Sequence, residues 1–125
     1  MIALVVSRSE EHRAFLARAL GPDWEVHEAR DGLEATRLCL ENDEIGVVVS
    51  DQTSEPMGAF ALSRELKNME DAPAIIVLLD REQDRWLAKE SKVDESLLQP
   101  VDPFALAAAA RRLWAERIHA APAEA

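Results

Sequence analysis

The sequence predicts one α/β domain: a doubly wound, five-stranded parallel sheet in the order 2-1-3-4-5, with helices on both faces. Short apolar runs alternate with segments of helical periodicity, which is the pattern of such sheets. The runs at 2–6, 46–49 and 74–79 are continuous rather than alternating, as in strands covered on both faces. The 125 residues suffice for a single hydrophobic core.

Five segments are predicted as strands. They are IALVV (2–6), WEVHE (24–28), GVVV (46–49), AIIVLL (74–79) and SLL (96–98). WEVHE alternates apolar and polar residues, which indicates an edge strand with one wet face.

Helices are predicted between these strands, each with an apolar stripe. The stripes are Phe15, Leu16, Ala19 and Leu20 in the first helix; Leu33, Thr36, Arg37 and Leu40 in the second; Leu62, Leu66 and Met69 in the third; and Leu106, Ala110, Leu113 and Ile118 in the last. Asp102 is the predicted N-cap of the last helix, followed by Pro103. The segment 82–92 has a broken period and predicts a short or mobile helix.

The composition excludes some classes of function. The net charge of −10 argues against a nucleic-acid surface, which needs clustered Lys and Arg. No basic stretch precedes the first apolar run and no apolar run is long enough to span a bilayer, so we expect a cytoplasmic protein without membrane contact. The lone cysteine, Cys39, is expected to be a buried hydrophobe. The domain is predicted over 1–119, with a flexible tail over 120–125.

Polar residues follow two neighbouring strands of the predicted sheet. In a doubly wound sheet the functional crevice lies at the carboxyl ends of the strands, where the strand order reverses. That location places Ser7, Arg8 and Asp51 together. Two arrangements remain open: an Arg8–Asp51 ion pair across adjacent strand ends, or Arg8 in solvent with Asp51 capping the following turn.

Several segments, taken in order, resemble the receiver domain of two-component response regulators, a flavodoxin-like fold. They are ALVVSRSEEHRAFLARAL, WEVHEARDGLEA, VVVSDQTSEPMGAFALSREL and DRWLAKESKVDESLLQPVDPFALAAAARRL. The resemblance covers residues 1–118. It implies that a histidine kinase donates a phosphoryl group to an Asp at the end of the third strand, in a pocket that holds Mg²⁺.

Carried over residue by residue, the resemblance places the phosphoacceptor at Asp51, whereas the other pocket positions differ from the family pattern. Ser7 and Arg8 replace the acidic pair. The hydroxyl position falls on Val77 or Leu78, and the lysine position is Gln99. The remaining positions are the switch aromatic, here Ser96; Thr53 in the loop after Asp51; and Glu55 before Pro56, with Ala59 where a glycine is expected.

These differences change the predicted chemistry. Mg²⁺ requires hard oxygen ligands, and Arg8 puts a positive charge where the resemblance implies a dication. We therefore predict a degenerate receiver without metal or other cofactor, and nothing in the sequence indicates an enzyme. Asp80, Glu82 and Asp84 are predicted to lie in a solvated loop or at the start of a helix. Three histidines, His12, His27 and His119, lack ligand spacing, so no metal site is predicted.

The predicted function is signalling by protein–protein contact, largely independent of phosphorylation. The partner-binding stretch is predicted at 86–106, with Trp86 and Phe104 as candidate contacts. Trp24 is expected to pack against a helix, and Trp114 is expected to be half-buried. The partners implied are signalling proteins, such as a histidine kinase or an output domain, and a homodimer is allowed. Two alternatives stay open: a receiver phosphorylated on Asp51, and a small-molecule-binding module using the same crevice.

Overall fold

The computed structural model describes residues 1–52 and 57–120. The strands are β1 (Ile2–Val6), β2 (Glu25–Ala29), β3 (Val47–Asp51), β4 (Ala74–Leu79) and β5 (Glu95–Leu98). The α-helices are α1 (Glu10–Leu20), α2 (Gly32–Glu41), α3 (Ala59–Lys67), α4 (Arg85–Glu90) and α5 (Pro103–Ala120). A 3₁₀ turn over Glu82–Asp84 leads directly into α4, so the segment predicted to be a short helix contains only six α-helical residues.

The strands form one sheet in the order β2-β1-β3-β4-β5, with every neighbouring pair parallel. The predicted strand order is therefore confirmed. The three continuous apolar runs are β1, β3 and β4, which occupy the middle of the sheet and are almost fully buried. WEVHE supplies β2 at one edge, as its alternation predicted.

Each face of the sheet carries its own core. Leu16 of α1 and Leu106 of α5 pack on one face, whereas Cys39 of α2, Leu62 of α3 and Ala88 of α4 pack on the other. Burial raises the pKa of the Cys39 thiol to about 11, so Cys39 behaves as a small hydrophobe.

The predicted inner stripes hold for α1 and α3 but are wrong for α2. Leu33 and Leu40 are exposed, and α2 turns Ala35 and Cys39 inward instead. Small side chains allow this helix to lie close to the sheet, so the larger leucines fall on the outer face. In α5, Leu106, Ala110 and Leu113 are buried as predicted, whereas Ile118 is exposed.

Trp24 and Trp114 pack together near the amino-terminal ends of β2 and β3. Trp24 is buried and meets Trp114 edge-on, with ring centroids 5.7 Å apart. The Trp114 ring also lies over Gly46, where a Cβ atom would come within 2.4 Å of the ring. A side chain at position 46 would therefore displace α5 from the sheet. Trp24 packs against helix α5 and Trp114 is half-buried, as predicted.

The first and last residues of helix α5 can be compared with the predictions. The side-chain oxygen of Asp102 accepts a hydrogen bond from the Phe104 N–H at 2.9 Å, which confirms the predicted N-cap of α5. Helix α5 extends through Ala120, the first residue of the predicted tail, and 121–125 lie outside the described residues. No helix in the described part of the chain is both long and apolar enough to cross a membrane.

Candidate functional site: the crevice at the carboxyl edge of the sheet

The crevice lies where β1 and β3 end side by side. Val6 pairs with Ser50, so Ser7 and Asp51 leave adjacent strands at the same level. Ser7 is buried, and its hydroxyl oxygen accepts a hydrogen bond from the Ser9 N–H at 3.1 Å. Asp51 keeps a partly exposed carboxylate, with 16% of its side chain accessible. Thr53, Glu55 and Pro56 lie outside the described residues.

Arg8 pairs with Asp31, not with Asp51. Its guanidinium lies 3.3 Å from the second carboxylate oxygen of Asp31, while the first oxygen caps α2 by accepting the Glu34 N–H at 3.0 Å. The Arg8–Asp51 arrangement is therefore wrong, because the capping carboxylate of α2 offers a closer partner. Arg8 is 60% exposed, so water screens the pair.

His12 contacts Asp51. It lies in the first turn of α1, with Nδ1 3.4 Å from an Asp51 carboxylate oxygen, and its ring stacks on Phe15 with centroids 6.2 Å apart. Sequence reasoning missed this contact because it searched the histidines for metal-ligand spacing. The available signal was position, since the helix after β1 begins at the crevice.

Arg13 fixes the mouth of the crevice on the β1–β2 side. One of its nitrogens donates to the backbone oxygen of Ser7 at 2.7 Å, and another donates to the Glu28 carboxylate, also at 2.7 Å. Because the Arg13 side chain is only 12% exposed, these bonds are better shielded than the Arg8 pair. The ends of β1 and β2 are thereby tied to α1.

The remaining pocket positions are apolar or turned toward other partners. Leu78 is the register neighbour of Asp51 on β4, and Val77 is the neighbour of Ser50; both are fully buried. The Gln99 side chain donates to an Asp80 carboxylate oxygen at 3.2 Å, and the peptide bond from Gln99 to Pro100 is cis. These side chains bring neither a hydroxyl nor a cation to Asp51.

Among the described residues, the donors around Asp51 differ from the ligand set that Mg²⁺ prefers. That ion requires near-octahedral oxygen coordination, usually with more than one carboxylate. The described residues offer the Asp51 carboxylate, whereas His12 lies against it and Arg8 adds a positive charge to the same rim. Among residues 1–52 and 57–120, no three His, Cys, Asp or Glu side chains are grouped to hold a metal ion.

Gln52, the residue after Asp51, joins the β3 end to the connection between β4 and α4. Its side-chain oxygen accepts the Asp80 N–H at 2.9 Å, and its side-chain nitrogen donates to Asp84 at 2.7 Å. Arg81 also donates to Asp84, at 3.1 Å. Together with Gln99, which bonds Asp80, these residues form what we term the amide network: Gln52, Asp80, Arg81, Asp84 and Gln99.

Asp84 lies at the start of α4, one of the two predicted settings of the acidic cluster, but it is not solvated. It is 5% exposed, whereas Asp80 and Glu82 are exposed as expected. Hydrogen bonds from Arg81 and Gln52 lower the pKa of Asp84, so the carboxylate stays ionised. The sequence pattern could not show this, because the Gln52–Asp84 bond joins residues 32 positions apart.

A second surface lies beside the crevice, on α4, β5 and α5. Trp86, Leu98 and Phe104, one on each of these elements or at its end, are 63%, 37% and 84% exposed. We call these three side chains the α4–β5–α5 surface. Ser96, at the switch-aromatic position, is covered by Arg85, which donates to its hydroxyl oxygen at 3.1 Å.

Comparison with known proteins defines the class. An uncharacterized response regulatory protein of Mycobacterium tuberculosis is 31% identical over 111 residues, which span 82% of this chain and 83% of the relative; the same match occurs in two strains. No family model matches the chain. At this identity and coverage, the chain belongs to the response regulators of two-component signalling, and its fold is the receiver domain.

Solved structures agree with the fold. A response regulator receiver domain protein from Clostridium thermocellum superposes with a TM-score of 0.82 at 24% identity, covering 94% of this chain and 97% of that one. The receiver domain of an HD domain-containing protein from Pseudomonas fluorescens gives 0.83 at 22% identity, covering 94% and 89%. Identities this low support the architecture alone. The resemblance to response-regulator receiver domains and the predicted fold class are both confirmed.

Proposed function

We propose that this chain is a degenerate receiver that signals by protein–protein contact through the α4–β5–α5 surface, without requiring Mg²⁺-dependent phosphorylation of Asp51. It acts as a binding module rather than an enzyme. Its partners are signalling proteins, such as a histidine kinase or an output domain. A receiver in this role changes the state of its partner by binding, so the bias comes from the partner instead of a phosphoryl group.

The observation that carries the proposal is the charge arrangement at the crevice. His12 contacts Asp51 on one side, and the exposed Arg8–Asp31 pair occupies the β1 rim. Phosphoryl transfer depends on positioned cations and donors that neutralise the developing charge. Leu78 and Gln99 supply no cation, and Arg8 is occupied by Asp31. These features support a crevice with weak phosphoryl chemistry.

The second support is the exposure of large apolar side chains beside the crevice. Trp86 of α4 and Phe104 of α5 expose most of their large apolar side chains. Exposed aromatics surrounded by charge are typical of binding surfaces, where tryptophan often contributes most of the energy. Arg85, which precedes Trp86 in α4, pairs with Glu82, and Arg112 of α5 pairs with Glu95 of β5.

The proposal is tested by intact-mass measurement after incubation with acetyl phosphate and Mg²⁺. We expect no phosphoryl adduct on the wild-type chain under conditions that label a phosphorylatable receiver run in parallel. An adduct that appears on the wild type and is absent from Asp51→Ala would contradict the proposal. It would establish the alternative of a receiver phosphorylated on Asp51, which the partly exposed carboxylate of Asp51 keeps open.

The small-molecule alternative places a ligand in the same crevice, with Arg8 as an anion-binding group. The Arg8–Asp31 pair argues against it, because an incoming anion would compete with a carboxylate that already caps α2. Native mass spectrometry of the purified chain separates the two. We expect the mass of the bare chain, whereas a bound ligand lost in Arg8→Ala would favour the alternative.

A further inference from the structure

The amide network joins three connections that meet at the crevice. Gln52 stands at the end of β3, Asp80 and Asp84 lie on the connection from β4 to α4, and Gln99 follows β5. Each link is a side-chain hydrogen bond between 2.7 and 3.2 Å long. The end of β3 is therefore fixed to the next two loops by the neutral amides of Gln52 and Gln99, which bond the buried carboxylate of Asp84 and the exposed carboxylate of Asp80.

Gln52 suits this position because its amide has both an acceptor and a donor. The oxygen takes the backbone N–H of Asp80, and the nitrogen reaches Asp84. The buried carboxylate of Asp84 needs such donors, since an ionised group out of water without partners is strongly unfavourable. No other type of side chain of this length would serve both partners in the same orientation.

The network controls α4 through Asp84. This residue ends the 3₁₀ turn and immediately precedes Arg85, the first residue of α4. Arg85 in turn bonds Ser96 on β5, and Trp86 is the next residue along the helix. The position of the α4–β5–α5 surface thus depends on where Asp84 is held. Because a helix of six residues has little stability of its own, the position of α4 depends on the bonds that hold Asp84.

We propose that Gln52 and Asp84 form a permanent latch that holds α4 in the partner-binding position, independent of any group on Asp51. This inference rests on the proposed function, because it assumes that Trp86 belongs to the binding surface. In the latched state the 3₁₀ turn is bound to β3 at all times, and release of Gln52 frees α4 to move. Partner binding would then depend on the Gln52–Asp84 hydrogen bond and not on the chemical state of Asp51.

Hydrogen–deuterium exchange of the whole chain, followed by NMR, tests the latch. Gln52→Ala removes both bonds, and we expect exchange at residues 84–90 to accelerate about tenfold or more, with β1 and α5 unchanged. Gln83→Ala is the matched control: the same substitution at an exposed glutamine outside the network, in the 3₁₀ turn to which Gln52 is bonded. It is expected to exchange like the wild type.

Gln52→Glu keeps the oxygen for the Asp80 N–H but replaces the donor to Asp84 with a negative charge. We expect the Asp80 amide to remain protected while residues 84–90 exchange faster, and this variant also serves if Gln52→Ala does not fold. The Trp86 indole resonance, assigned with Trp86→Phe, should shift in both Gln52 variants, while those of Trp24 and Trp114 stay in place.

Two results would overturn the latch. Unchanged exchange at 84–90 in the Gln52 variants would show that Asp84 is held without Gln52. Equal acceleration in β1 and α5 would show that Gln52 supports the whole fold rather than α4. Phosphorylation of Asp51 would defeat the proposed function but leave this exchange pattern unaffected, so the two failures are distinguishable.

Discussion

The two sides of the crevice carry acidic residues that are held in different ways. On the β1 side, Asp31 pairs with an arginine that is 60% exposed. On the β4 side, Asp84 has only 6% of its side chain accessible and receives hydrogen bonds from both Gln52 and Arg81. The first pair lies at the surface, whereas the second carboxylate is part of the folded interior.

This difference indicates which contacts determine the conformation of the crevice. Exposed ion pairs contribute about 0–1 kcal/mol because water and salt screen them and two long side chains must be ordered. Hydrogen bonds to a buried carboxylate cannot be replaced by water, so losing one leaves the charge unsatisfied. We therefore expect the β4 side to determine the conformation of the crevice and the β1 side to determine its charge.

The largest effect is expected from Gln52→Ala. Loss of both amide bonds should destabilise the chain by roughly 1–3 kcal/mol, because the Asp84 carboxylate and the Asp80 N–H lose a partner. Urea unfolding of wild type, Gln52→Ala and the control Gln83→Ala measures this. A destabilisation no larger than that of the control would remove the distinction between the two sides.

Acid should act on the β4 side through Asp84. Its pKa in the folded chain is lowered by Arg81 and Gln52, below the value of about 3.9 for an unfolded aspartate. A group with a lowered folded pKa stabilises the fold above its unfolded pKa and loses that contribution as pH falls through the folded pKa. The contribution of Asp84 to the free energy of unfolding should thus stay constant from pH 8 to 5 and decrease below about pH 4.

Comparing Asp84→Asn with wild type by urea unfolding from pH 7 to 3 checks this behaviour. The gap in stability between the two chains should narrow as the wild-type carboxylate becomes protonated. A gap that stays constant down to pH 3 would mean that the charge of Asp84 does not contribute.

Arg8→Asp tests the charge of the β1 side. Replacing a positive with a negative charge at the β1 rim of the crevice should raise the affinity for Mg²⁺ on the order of tenfold or more, by Coulomb's law with water-like screening. Isothermal titration with Mg²⁺ measures the change, and Arg18→Asp, on the exposed end of α1, is the matched control. Equal gains in both variants would indicate net charge, and not the site, as the cause.

The smallest effect is expected from Arg8→Ala. Because the Arg8–Asp31 pair is exposed and Asp31 still caps α2 through Glu34, stability should change by about 0–1 kcal/mol. Urea unfolding at low and high salt measures it, and any difference should shrink in high salt. A loss as large as that of Gln52→Ala would contradict the comparison.

The sequence predicted the sheet well because β1, β3 and β4 are continuous apolar runs, which belong in the middle of a parallel sheet. It predicted the location of Asp51 for the same reason. It misplaced the inner face of α2, since Leu33 and Leu40 have the same helical spacing as a buried stripe while the small Ala35 and Cys39 carry the contact.

The side-chain partners in the crevice could not be predicted. Arg8 had two carboxylates within reach of its strand end, and the capping geometry of Asp31, which only the folded chain defines, decided between them. His12 and Gln52 act through contacts between distant segments, so no local periodicity marks them. The sequence marked Trp86 and Phe104 as candidates for exposure without deciding against a core position for either one, and both side chains are exposed.

The central claim is that the α4–β5–α5 surface does not await a phosphoryl group on Asp51. An amide NMR titration with Mg²⁺, followed by beryllofluoride as a mimic of that group, tests it most directly. We predict no shifts at residues 7–8, 51–52 and 77–79, and none at Trp86, with millimolar metal. Shifts that begin at Asp51, extend to Trp86 and vanish in Asp51→Ala would contradict the claim.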